Sequence, residues 1–245
     1  MIPKKARWVI VYTIRMADEL LRQAPTQIAL APTQVAYQLK SLIQGQLQNF
    51  LRSLGYIGLG GCSAYNALGT AVGLGVMAGL GESCRIMHLM TPEYGVRQRV
   101  FKLITDLPLA PGKPIDFGVM RFCQACKKCA DFCPVKAIPD DTLPSWEIRG
   151  PYQNQGVRIW RRNEPLCISY KLQAGLSEGC DICFAVCPLS QGTRESFYQD
   201  TVKRTISSTS AFNRSIRLMD DFLGYGIRND PETFWTQDLP PFGWT

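Results

Sequence analysis

Ten cysteines are distributed unevenly along 245 residues. Seven fall into two runs, Cys123-x2-Cys126-x2-Cys129-x3-Cys133-Pro134 and Cys180-x2-Cys183-x3-Cys187-Pro188, and Cys167 stands upstream of the second. Two intervening residues let a turn aim successive thiolates at corners of one iron–sulfur cube. Three intervening residues followed by proline carry the next sulfur toward a neighbouring cube, as in bacterial ferredoxin spacing. The spacing therefore predicts two [4Fe–4S] clusters, one on Cys123, Cys126, Cys129 and Cys187, the other on Cys133, Cys167, Cys180 and Cys183. Structural zinc also uses Cys-x2-Cys pairs, but it pairs two such knuckles rather than a continuous four-cysteine run ending in proline. The remaining cysteines, Cys62 and Cys84, read as buried core residues. Ten cysteines in a chain of this length are too sparse for a disulfide scaffold. Two such clusters form an electron wire, and a wire implies a redox centre at one end.

Other cofactor chemistry is thinly represented. A single histidine, His88, excludes a multi-histidine metal site built from this chain and reads as a core residue. No Cys-x2-Cys-His offers covalent haem attachment. Gly73-Leu-Gly75 and Gly79-Leu-Gly81 lack the strand context and downstream acid of a dinucleotide-binding turn. The formal charge is +7, from 27 Lys and Arg against 20 Asp and Glu. Each [4Fe–4S]2+ core with four thiolates carries 2 − 4 = −2, so two clusters bring +7 to +3. The basic residues are also scattered rather than gathered in a patch, and no nucleic-acid partner is expected.

The elements that must position the cysteines follow from periodicity. Trp8–Met16 reads as a strand, Ala17–Arg22 as a helical continuation, and Thr33–Leu54 as a helix with apolar residues at helical spacing and Gly55 as its stop. Residues 53–81 carry no charge and nine glycines, a density that breaks a membrane-spanning helix. They read instead as a buried small-residue segment lying beside something large and flat. Residues 83–107 give mixed signals, because Arg97, Arg99 and Lys102 interleave with Val100, Phe101 and Leu103. The Pro-rich stretch 108–114 marks a boundary. A polar insertion, 138–166, interrupts the cysteine region, and 193–245 is a helical stretch with an aromatic, Pro-rich end. No secretory signal is visible at the N-terminus.

Several segments together resemble the reductive dehalogenases of organohalide-respiring bacteria. They are Thr91-Pro92-Glu93-Tyr94-Gly95, Arg99, the run Leu107-Pro-Leu-Ala-Pro-Gly-Lys-Pro-Ile-Asp-Phe-Gly118, its continuation Phe122–Ala130, Leu54-Gly55-Tyr56, and the glycine-rich stretch around Asn66. The resemblance runs from about residue 6 to 230. It implies an α+β fold: a partial, nitroreductase-like α/β core that binds a base-off, cobalamin-type corrinoid, with an inserted ferredoxin-like domain holding two [4Fe–4S] clusters. The expected division is 1–114 for the partial core, 115–192 for the cluster domain and 193–245 for the return to the core. The implied reaction is R–X + 2e⁻ + H⁺ → R–H + X⁻, with a tyrosine as proton donor aided by an arginine and an asparagine. By local motif these are Asn66 and Arg99, with Tyr37 as the tyrosine. The corrinoid contacts implied are Tyr56, Gly60, Gly61, Asn66 and Thr70.

The resemblance further implies a small halogenated substrate, such as a chlorinated ethene. It implies an electron donor protein or quinol-linked chain, a small membrane-anchor subunit, and a peripheral place on the outer face of the cytoplasmic membrane. Family members are about twice this length and begin with a twin-arginine export signal that is not present here, so the chain is expected to be a C-terminal half. Competing readings are an epoxyqueuosine reductase-like enzyme acting on tRNA, a ferredoxin-type module serving a separate catalytic subunit, and a structural cluster protein without turnover.

Overall fold

A computed structural model describes residues 2–61, 68–177, 179–190, 197–224 and 230–236. The chain opens with an eight-residue strand, β1 (Trp8–Arg15), rich in the branched and aromatic residues that suit a pleated surface. A short helix, α1 (Asp18–Leu21), leads to the 27-residue helix α2 (Gln27–Ser53). A three-residue strand, β2 (Gly58–Gly60), follows, and then helix α3 (Ala71–Met77) inside the glycine-rich segment. Two short strands, β3 (Glu82–Ser83) and β4 (Leu89–Met90), make a hairpin, and β5 (Gln98–Thr105) completes the core. The main sheet has the order β1-β5-β2 and is antiparallel throughout. Its register places Tyr12 opposite Phe101 and Ile14 opposite Arg99.

Helix α2 covers the sheet face that carries Arg99 and Phe101: Thr33 meets Arg99 and Tyr37 meets Phe101. The two pairs coincide because residues i and i+4 share a helix face while i and i+2 share a strand face. Helix α3 packs against β1 and β5 as well. Coverage of this kind buries every residue from Phe101 to Thr105, Lys102 included. That is why alternation failed to announce a strand here.

Among the described residues, the cysteine region contains no strand beyond one isolated bridge, Ser145 to Ile159. It is built from α4 (Val119–Cys126), α5 (Lys128–Asp131), α6 (Glu164–Gln173), α7 (Ile182–Ala185) and a turn of 3-10 helix at Pro188–Ser190. Helices α8 (Phe197–Ser208) and α9 (Asn213–Phe222) then pack against α4. Gly118 enters α4 with φ +93° against the carbonyl of Ile206, a left-handed close approach that a side chain would block. One hydrophobic cluster runs from Ile14 and Phe101 through Phe122 and the cluster cysteines to Ile206 and Ile216. Among the described residues no helix is long and apolar enough to cross a membrane.

Two elements differ from expectation. The second helix starts at Gln27, six residues early, and carries Pro32 inside it. Proline removes one backbone donor. The cost is offset by burial of Ala29, Pro32, Thr33 and Ala36 against the rest of the core. The mixed stretch 83–107 resolves into a hairpin and the central strand of the main sheet.

Candidate functional site

Two of the three Cys-x2-Cys units, Cys126-x2-Cys129 and Cys180-x2-Cys183, share one local design. In each, the residue after the leading cysteine adopts a left-handed conformation, Lys127 at φ +54° and Asp181 at φ +42°, and the next residue begins a one-turn helix. This reverses the chain within two residues and turns backbone amides toward sulfur. The amides of Lys128, Ile182 and Leu189 favour the ionised sulfurs of Cys126, Cys180 and Cys187, each two residues upstream. The amide of Ala137 donates to Cys133 Sγ at 3.3 Å.

Cys123, Cys126, Cys129 and Cys187 line one small cavity, together with Arg85, Met90, Phe122, Lys127, Pro188 and Leu189. These are the four cysteines that spacing assigns to one cube, brought together from α4, the turn after it and the far end of the second run. Cys167, Cys180 and Cys183 interact electrostatically with one another, and Arg162 stands beside Cys183 and Cys167. Cys133 is buried in the same continuous cluster of side chains. Among the described residues, no three His, Cys, Asp or Glu side chains converge on a point where one ion would sit. A single zinc requires such convergence, with each sulfur about 2.3 Å from the metal. A cube instead spreads its four thiolates around a larger core, so the donor set and the cavity fit a [4Fe–4S] cluster. Burial pushes the thiols of Cys123, Cys126, Cys129, Cys180, Cys183 and Cys187 upward. Iron must therefore displace protons on binding, and loading strengthens as pH rises.

The residues implied for substrate chemistry fall on the α2–β5 wall. Arg99 Nη2 donates to Thr33 Oγ1 at 2.8 Å, and its guanidinium lies 5.3 Å over the ring of Phe184, which sits between Cys183 and Cys187. The Arg99 Nε is buried and has no partner among the described residues. Tyr37, one helical turn beyond Thr33, packs edge-on against Phe101 at 5.6 Å. Tyr12 packs on the same Phe101 at 5.7 Å. Its hydroxyl is buried without a partner among the described residues, and burial pushes its pKa up to about 12. Tyr37 and Arg99 are thus neighbours on one wall. Asn66 lies outside the described residues.

Tyr56, Gly60 and Gly61 gather beside the C-terminal half of α2, and Thr70 precedes α3. At Gly60 the reason for glycine differs from the expected flat contact with a bound ring: a Cβ there would strike the Gln44 side chain, so the protein's own helix fills the space. At Gly61 a Cβ would meet the Leu68 side chain at 3.7 Å, an ordinary contact, and the Gly61 carbonyl accepts from the buried Lys40 Nζ at 2.5 Å. The Tyr12 hydroxyl on β1, Gln44 Oε1 on α2 and Arg99 Nε on β5, each buried without a partner among the described residues, fit a polar group bound against this wall.

Spacing arguments missed the residues that tie the clusters to the core. Arg97 and Arg85, each 1% exposed, reach from the core into the cysteine loops. Arg97 pairs with Asp18 at 3.3 Å and donates to the carbonyl of Ala185 at 3.1 Å. Lys128, also 1% exposed, pairs with Asp220 at 2.5 Å and Asp221 at 2.8 Å, and Arg217 donates to the carbonyl of Cys126 at 2.5 Å. Lys128 and Arg97 carried a signal only as charges inside apolar runs. His88 packs edge-on against Phe184 at 4.8 Å, in keeping with a core role.

Comparison with known proteins places these features in context. Residues 1–109 match the family model described as reductive dehalogenase subunit, and residues 122–190 match that of a 4Fe-4S double cluster binding domain. The tetrachloroethene reductive dehalogenase of Sulfurospirillum multivorans is 35% identical over 242 residues, 99% of this chain and 47% of that protein. The trichloroethene reductive dehalogenase of Dehalococcoides mccartyi is 32% identical over 98% of this chain and 41% of its own length. The chain thus spans about half the length of the curated relatives it matches. A solved reductive dehalogenase, whose structure suggests a mechanism for B12-dependent dehalogenation, superposes with a TM-score of 0.80 at 27% identity, covering 96% of this chain and 33% of that one. An epoxyqueuosine reductase of Lactococcus garvieae is 32% identical over only 53% of this chain.

Proposed function

We propose, from the premise that this chain belongs to the reductive dehalogenase family, that it is the cluster-bearing half of an enzyme that replaces a halogen on an organic substrate by hydrogen: R–X + 2e⁻ + H⁺ → R–H + X⁻. The observation that carries the reading is the contact between the reaction wall and the electron wire: Arg99 lies over Phe184, which is flanked by Cys183 and Cys187. Cys123, Cys126, Cys129 and Cys187 hold one [4Fe–4S] cluster and Cys133, Cys167, Cys180 and Cys183 the other. Tyr56, Gly60, Gly61, Asn66 and Thr70 would hold a corrinoid against the wall, and that group would supply low-potential electrons for carbon–halogen cleavage.

The chain's own residues supply the proton and the field. Tyr37 donates its phenolic proton to the carbon that loses the halogen. Arg99 stands on the same wall with an Nε–H that has no partner among the described residues, and a cation there stabilises both the departing halide and the phenolate left on Tyr37. Asn66 orients the substrate. The small chlorinated alkenes named for the relatives are the substrate class this reading favours. An electron donor protein or quinol-linked chain feeds the wire, and a small anchor subunit holds the assembly on the outer face of the cytoplasmic membrane.

The test is anaerobic reconstitution with iron, sulfide and cobalamin, followed by metal analysis and chloride release from tetrachloroethene with a titanium(III) donor. About eight irons, two clusters of four, with one cobalt and chloride release support the reading. About eight irons without cobalt or chloride release would leave this chain a cluster carrier and overturn its part in the corrinoid site.

A further inference from the structure

Arg85 sits on the turn between β3 and β4, inside the protein. It is 1% exposed, yet no ion pair among the described residues includes it. Its donors are spent on carbonyls: Nε and Nη2 on Cys123 O at 3.2 and 2.6 Å, and Nη1 on Pro139 O and Asp141 O at 2.7 and 2.8 Å. Its face lies 4.4 Å over Trp160. The other fully buried arginine, Arg97, has the Asp18 carboxylate beside it. An isolated buried cation is costly unless an opposite charge lies near. Arg85 lines the cavity that Cys123, Cys126, Cys129 and Cys187 surround. The hairpin that carries it is docked firmly: Glu82, at its start, accepts from the amides of Phe117, Val119 and Met120 at 2.7, 3.1 and 3.4 Å. One hairpin from the core therefore grips α4 by its N-terminus through Glu82 and by Cys123 through Arg85.

We propose that Arg85 is the counter-charge of the cluster on Cys123, Cys126, Cys129 and Cys187, and that it raises the reduction potential of that cluster relative to the other. The inference rests on the cysteine assignment made above. The step concerned is [4Fe–4S]2+ + e⁻ → [4Fe–4S]+, with the electron taken from titanium(III), which becomes titanium(IV). With four thiolates the cluster goes from −2 to −3, and a fixed cation at the cavity wall favours the more negative state. Charge and hydrogen bonding around the sulfurs are the levers by which a protein sets such potentials. Cys167 and Cys183 of the other cluster have Arg162 beside them, but Arg162 is paired with Glu164 at 2.9 Å, so the two couples are set apart.

The experiment is an anaerobic redox titration of the iron-loaded chain, followed by electron paramagnetic resonance, on wild type, Arg85→Gln and Arg85→Lys. Iron content of the wild type judges the cysteine assignment by itself: clearly fewer than about eight irons would undo that reading whatever the potentials are. With both clusters present, Arg85→Gln is expected to shift one couple about tenfold against reduction, 59 mV for one electron, while the other couple holds still. Arg85→Lys, which keeps the charge, is expected to stay near wild type. An unmoved potential in an iron-replete Arg85→Gln protein overturns the proposal, and so does an equal shift in both variants, which would make hydrogen-bond geometry the cause. If Arg85→Gln loses four irons, retention at the wild-type potential in Arg85→Lys supports the counter-charge, and loss in both variants overturns it by making Arg85 a folding residue.

Discussion

Two tyrosines, Tyr12 and Tyr37, pack on Phe101. The Tyr12 hydroxyl is buried without a partner among the described residues, and burial raises its pKa from 10.0 to about 12. A phenol held neutral to that degree gives up its proton poorly. The folded value lies above the unfolded one, so the phenol contributes equally at every pH below 10.0 and its contribution is lost as pH rises through about 12. An alkaline absorbance titration of the folded chain should show one late phenol among the nine tyrosines, absent in Tyr12→Phe; the same late component persisting in that variant would assign it elsewhere. Tyr37 shares its wall with Arg99, whose guanidinium reaches Thr33 one helical turn before it. Positioned acids contribute about 10²- to 10⁴-fold. In the corrinoid-loaded enzyme, Tyr37→Phe should therefore lower kcat by about 10²-fold or more with KM and iron content nearly unchanged. Turnover at the wild-type rate would move the proton donor to another residue. Arg99→Lys should also slow turnover, because lysine reproduces neither the fork that reaches Thr33 nor the flat contact with Phe184.

At the scale of elements, the cysteine loops are held from both sides. The core supplies Arg85 and Arg97, and the returning helix α9 supplies Asp220, Asp221 and Arg217. Burial works against the Lys128 ammonium, but its two carboxylate partners outweigh it and its pKa rises; burial likewise pushes Asp220 up. Removing one partner of a buried pair strands the other charge, at a cost of about 3–5 kcal/mol, whereas replacing both by apolar residues is often close to neutral. Lys128→Met should therefore lower the urea midpoint of the iron-loaded chain markedly. Lys128→Met with Asp220→Leu should recover most of the loss. A double variant as weak as the single one would show that packing, and not the stranded carboxylate, sets the cost. Much of this architecture could be read from the sequence, and the remainder was hidden for identifiable reasons. The strand at Trp8 and the long helix ending before Gly55 announce themselves by period. So do the cysteine turns, because a fixed spacing is a geometric constraint on ligands. Helix α2 begins earlier than its pattern suggests because packing overrides the breaker Pro32. Strand β5 is masked by Arg97, Gln98 and Lys102, which are buried in spite of their polarity. Arg85 and the Lys128–Asp220 pair depend on contacts 38 and 92 residues apart, which no local pattern records.

The whole molecule joins two kinds of order. The sheet and α2 are held by an eight-residue antiparallel ladder and a helix of seven turns, structures that close their own hydrogen bonds. Between Val119 and Ser190 the described residues form only short helices and one isolated bridge, and the side chains filling the interior there are in large part cysteines. Those thiols are pushed toward protonation by burial, so in the absence of iron they pack as small apolar groups around the small cavity they line. Such a cavity costs stability, and a bound cluster that fills it contributes its binding energy to folding. Removal of iron should therefore not melt the chain evenly. Hydrogen exchange after anaerobic chelation should show amide protection lost across 119–190 while Trp8–Arg15 and Gln98–Thr105 stay protected. Arg85 and Arg97 should mark the border, because each keeps its backbone in the core while its side chain loses the loop carbonyl it holds. Protection lost together in both regions would mean that the continuous apolar cluster makes them one cooperative unit. The clusters would then support the reaction wall as well as feed it, and Tyr37 and Arg99 would keep their places only while iron is bound.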